Sequence, residues 1–132
     1  MMLHPNQFQV NEAWIAFKLN DIPVRTESEG DFDIIALMDA ASCFILGSEF
    51  VLAGSPELSQ MAAKRLLKVG QSYKQQLPKT LVIPTDQPAN LLSVEATRHG
   101  IDVVRVSGDE LLVFIGEARE GFKEHFGRSG AQ

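Results

Sequence analysis

Apolar residues follow two rhythms along this chain. Some run continuously or alternate over five to seven positions, and others recur at every third and fourth. WIAFKL at 14–19 and IPVRT at 22–26 are aromatic and β-branched and flank Asn20-Asp21, a pair that turns readily. This predicts an N-terminal hairpin over 10–27, with Pro23 marking its second arm as an edge. Trp14 and Phe17 on its first arm are read as core or as part of an interface. Ile34 to Met38 is unbroken apolar sequence, predicting a strand over 32–38 buried on both faces and paired with a second over 43–52 across the turn from Asp39 to Ser42. The first arm of that pair is expected beside Leu81 to Ile83.

Leu58, Met61, Ala62, Leu66, Val69 and Tyr73 form a helical stripe, so a helix is predicted over 56–76. Ser55 would cap it, Pro56 would open it and Glu57 would sit near its positive end. Thr80 to Ile83 is a short apolar strand halted by Pro84, the pattern of a buried parallel position. A helix over 88–99 turns Leu91, Leu92 and Ala96 inward and stops at Gly100, and a strand follows over 101–106. Leu111, Ile115, Ala118, Phe122 and Phe126 give a last amphipathic helix, although 111–115 alone also fits a strand. The order predicts a mixed α/β fold: five to six strands, antiparallel at the start and parallel at the end, with three packed helices. It fits a single domain over 1–127, followed by a disordered tail at 128–132.

Composition narrows the chemistry. The 132 residues are 45% hydrophobic and 22% charged, enough for one core. A single cysteine, Cys43, forms no internal disulfide, and with only three histidines there is no zinc spacing. Cys43 is expected to pack as a small apolar residue within its strand. Residues 1–9 carry neither a basic nor an apolar leader pattern, and no later apolar run is long enough to span a bilayer, so a cytoplasmic protein is expected. The net charge of −5 is unevenly spread. Residues 1–57 carry nine acids and two bases, residues 58–79 five bases and no acid, and the remainder eight acids and five bases. That balance disfavours general nucleic-acid binding, while Lys64, Arg65 and Lys68 remain a candidate binding face or the wet side of a helix. His99 suits a helix C-terminus. No Gly-rich phosphate loop or nucleophile elbow occurs.

Two acids sit at predicted strand ends, Asp39 in LMDAAS and Asp86 in LVIPTDQP, and NLLSVEATRHGIDVV follows the second. Together with the element order, these residues resemble the ribonuclease H-like fold of integrases and transposases over about residues 32 to 126. The resemblance implies a first carboxylate on an early strand, a second at the end of a parallel strand and a third on a later helix, together binding Mg²⁺ or Mn²⁺. Asp39, Asp86 and Glu117 would fill those roles, with Asp39 and Asp86 as the metal ligands. The same residues also allow plainer roles: Asp39 opening a turn and Asp86 capping the next helix. Glu117, Glu120 and Glu124 lie about 140° or more from the centre of the last apolar stripe, where a solvated face is expected.

The expectation drawn from these features is a non-catalytic binding or protein-interaction module without cofactor, forming a homodimer through the exposed Pro23 arm. A divalent-metal nuclease or strand-transfer core is the alternative.

Overall fold

The computed structural model describes residues 4–20, 24–25, 30–53 and 57–130. Asp21, Pro23, Ser55 and Pro56, on which the first turn, the edge arm and the first helix cap were expected, lie outside these residues. Six strands and three α-helices follow in the order β1 (Ala13–Lys18), β2 (Val24–Arg25), β3 (Asp31–Asp39), β4 (Ile45–Leu52), α1 (Gln60–Lys74), β5 (Thr80–Pro84), α2 (Asn90–Arg98), β6 (Asp102–Val106) and α3 (Gly108–Gly130).

The sheet runs β4-β3-β1-β5-β6, with the two-residue β2 pairing the start of β3. β3 is antiparallel to both β1 and β4, whereas β1, β5 and β6 are parallel. β1 is therefore the centre of the sheet and not a hairpin arm. Its residues Ala13 to Phe17 are all buried, because strands lie on both sides and helices cover both faces. β1, rather than the first arm of the 32–52 hairpin, lies beside Leu81 and Val82.

Alternation along β1 divides the core in two. Trp14 and Ala16 join Leu37, Leu66, Leu81 and Leu92 under α1 and α2. Ala13, Ile15 and Phe17 join Met38, Phe114 and Ile115 under α3. The inward face of α1 is Ala62, Ala63, Leu66, Leu67 and Gly70, one position round from the expected stripe. Met61, Val69 and Tyr73 are exposed instead, Tyr73 lying against Phe44. Gly70 explains the rotation. A Cβ there would come within 2.8 Å of the Trp14 ring, so the helix turns its smallest residue to the largest side chain in the core.

Local chemistry also shifts the helix ends. Ser59 Oγ accepts a hydrogen bond from Ala62 N and begins α1, while Glu57 accepts from Leu91 N at the start of α2. Leu91 itself is exposed, and Glu95 takes a buried place beside Leu92 and Ala96. Gly100, at φ 78°, ends α2 as expected. Residues 111–115 are helical, and α3 continues to Gly130, past the point where a tail was expected.

Candidate functional site

Strand direction decides where the two aspartates lie. β3 runs against β1, so its last residue, Asp39, pairs with Trp14 near the start of β1. Trp14 in turn pairs with Leu81 near the start of β5. Asp86 follows the end of β5, five residues beyond Leu81, which at about 3.3 Å per residue is about 16 Å along the strand. The acids thus occupy opposite ends of the sheet and share no metal.

Asp39 is fully buried, and both its carboxylate oxygens are engaged. Oδ1 accepts from Asn11 N at 2.6 Å, and Oδ2 accepts from Ser42 N at 2.9 Å and Ser42 Oγ at 2.8 Å. Asn11, held at φ 66°, accepts a 2.6 Å bond from Trp14 Nε1 through its Oδ1. This network joins the 40–43 turn to the first strand, so Asp39 is a turn residue. Cys43 belongs to the same turn, at φ 59°, and not to β4. Burial raises its thiol pKa above the ordinary value, and the charges of Asp39 and Glu117 push the same way.

At the opposite end, where β1 and β5 terminate, a cleft of about 440 Å³ opens between the sheet and α3. Its charged lining comprises Lys18 from β1, Asp33 from β3, Asp86, and Asp109 and Arg119 from α3. Two of these side chains, Arg119 and Asp33, are already bonded. Arg119 donates from Nε and Nη2 to the Lys18 carbonyl at 3.1 and 2.9 Å, and its guanidinium lies 5.9 Å from the Phe17 ring centre. Asp33 accepts from Asn20 Nδ2, and Lys18 N donates to Gln87 Oε1. Asp86 is exposed and makes no side-chain hydrogen bond among the described residues; in particular, it does not cap α2. Glu117, Glu120 and Glu124 are exposed on α3.

A metal pair needs several hard oxygen donors converging at about 4 Å. No such group of three acids, histidines or cysteines exists among the described residues. The cleft sets Lys18 and Arg119 among Asp33, Asp86 and Asp109, and these acids do not converge as such a group. The residues present do not fit Mg²⁺ or Mn²⁺.

The basic residues of α1 divide. Arg65 is committed to Glu49 on β4 at 2.8 Å. Lys64 and Lys68 instead line a groove of about 420 Å³ between α1 and α2, opposite Arg98 and His99. Those two residues bracket Glu95, which is only 2% exposed, at 3.3 Å each. Neither Glu95 nor Arg119 stands out in the sequence, since each sits in an ordinary amphipathic helix and gains its role only from the neighbouring element.

No protein-family model matches the chain, and no curated protein does. Among solved structures, a chain of the simian T-cell lymphotropic virus intasome, determined in complex with PP2A regulatory subunit B56 gamma, is similar at a TM-score of 0.58 and 9% identity. The match covers 87% of this chain and 39% of that one. A chain of the Mos1 strand transfer complex matches at a TM-score of 0.45 and 9% identity, over 74% of this chain and 35% of that one, too weakly to carry an argument. The fold is the ribonuclease H-like arrangement: an antiparallel β1-β3-β4 unit extended by parallel β5 and β6. No helix among the described residues is long and apolar enough to cross a membrane.

Proposed function

We propose that the chain is a non-catalytic interaction module on a ribonuclease H-like scaffold that works as a homodimer. The observation that carries this reading is the placement of Asp39 and Asp86 at opposite ends of the sheet, with Asp39 consumed by its turn. Support also comes from the cleft beside Asp86, whose lining includes Lys18 and Arg119. Lys18 and Arg119 offset two of the three carboxylates there, Asp33, Asp86 and Asp109, and so lower the cleft's attraction for a divalent cation. The alternative, a Mg²⁺- or Mn²⁺-dependent nuclease or strand-transfer core, is not favoured. For protein partners, Lys64 and Lys68 supply a cationic wall suited to an acidic surface, because their charges are not spent on Glu49 as Arg65's is.

The test is thermal melting in millimolar Mg²⁺ or Mn²⁺ against a matched monovalent-salt control, with light scattering on the same sample. The melting temperature is expected to follow ionic strength alone, and the mass to be that of a dimer. A saturable metal-dependent rise that Asp86→Asn abolishes would overturn the non-catalytic reading. A strict monomer at high concentration would remove the self-association part.

A further inference from the structure

The two edges of the sheet are built differently. β6 is five residues long, with Asp102 and Arg105 exposed along it, and Arg105 reaches back to the Pro84 carbonyl at 2.9 Å. Short length and exposed charge are the usual protections of an open edge. β4 has eight residues, ILGSEFVL, without lysine or proline. Its one charge, Glu49, is neutralised by Arg65. A register shift near Leu37 and Met38 disturbs only its beginning.

Hydrogen-bond direction shows which groups this edge offers. Leu19 N donates to Ile34 O, so Ile34 faces β1, and the alternate residues Asp33, Ile35 and Leu37 face β4. Their partners Val51, Glu49 and Gly47 turn their backbone groups toward β3, leaving those of Ser48, Phe50 and Leu52 directed outward. The same three residues share the α3 face of the sheet, where Phe50 is 65% and Leu52 51% exposed. Phe50 meets the Phe32 ring edge-on at 6.2 Å.

We propose that this edge is covered by β4 of a second copy, antiparallel about a two-fold axis at Glu49, so that one sheet continues through the dimer. The inference rests on the homodimer reading above and names its surface. A two-fold between identical antiparallel edges is self-complementary and closes after two copies. Centring it at Glu49 sets Phe50 against Ser48 of the second copy, large against small, and repeats that match on the other side. The same register brings the two Glu49 side chains together on the α1 face. Like charges in that position oppose pairing, but Arg65 beside each produces an alternating Arg-Glu-Glu-Arg row. Moving the axis to Phe50 would stack the two phenylalanines at the dyad and lose the row.

The test is sedimentation equilibrium on the full chain, its Phe50→Lys and Arg65→Glu variants, and a Glu49→Cys variant made in a Cys43→Ser background. Phe50→Lys should yield a folded monomer, and Arg65→Glu should weaken association about tenfold or more. Opposed residues of a non-hydrogen-bonded antiparallel pair have Cα atoms about 4.5 Å apart, within disulfide range, so Glu49→Cys should oxidise to a covalent dimer. A monomeric wild type overturns the homodimer reading itself. A wild-type dimer that neither dissociates with Phe50→Lys nor cross-links through Glu49→Cys overturns only the β4 edge and its register. If Phe50→Lys does not fold, the cross-link decides alone.

Discussion

Asp39 and Asp86 occupy the two ends of one sheet and live under opposite physics. At the Asp39 end the chain turns tightly, water is excluded, and the carboxylate accepts three hydrogen bonds from Asn11 and Ser42. At the Asp86 end the strands finish against a cleft and the carboxylate faces solvent. The contrast teaches that a carboxylate at a strand end is not informative until strand direction is known. A buried one is fixed by the groups it must satisfy, and an exposed one is free for other uses.

The strongest way to break the contrast is Asp39→Ala, which strands Asn11 N, Ser42 N and Ser42 Oγ. It should cost about 3 kcal/mol or more in a urea melt. Arg119→Ala removes the two donors that tie α3 to the Lys18 carbonyl and should cost about 1–2 kcal/mol in the same measurement. Arg119→Lys should recover only part of that, since an ammonium lacks the planar fork. A smaller effect is expected at Cys43. Its raised pKa means slow alkylation near neutral pH, and Glu117→Gln should quicken it. The sign for stability follows from a folded pKa above the unfolded one. The contribution is whole below the ordinary thiol pKa and is lost as pH rises through the folded value, so Cys43→Ser should flatten the alkaline fall of stability. Least of all should be Asp86→Asn, within about 0.5 kcal/mol of the wild type, since its exposed carboxylate makes no side-chain hydrogen bond among the described residues. A larger loss would mean that the two ends are more alike than their geometry indicates.

Much of the architecture is legible in the sequence because periodicity reports burial directly. The continuous run of β3, the short apolar β5 closed by Pro84 and the α3 stripe from Leu111 to Phe122 all occur where they are expected. Pairing is less legible. Trp14 to Phe17 read as a hairpin arm because Asn20-Asp21 is a strong local turn signal, yet their burial on both faces reflects partners at 31–39 and 80–84. The pairing also decides where the two acids lie. Once β1 occupies the centre, β3 reverses direction relative to β5 and Asp39 moves to the far end. The phase of α1 was likewise hidden, because Gly70 is inward for the sake of the Trp14 ring and no helical periodicity encodes that contact. Lys18 and Arg119 show the same limit. They are 101 positions apart, and only the packing of α3 across β1 joins them.

β1 precedes the other strands of the sheet, and its pairing with β5 spans the longest stretch of sequence. A nascent polypeptide holds Trp14 and Phe17 for some seventy residues before β5 exists to flank them, and longer before α3 covers the second face. Closure of such long loops is entropically slow, and during that interval the most apolar strand of the protein stands open on one side. The interval between the emergence of β1 and that of β5 is therefore the period in which this domain is most exposed to aggregation and most dependent on whatever shields a growing chain.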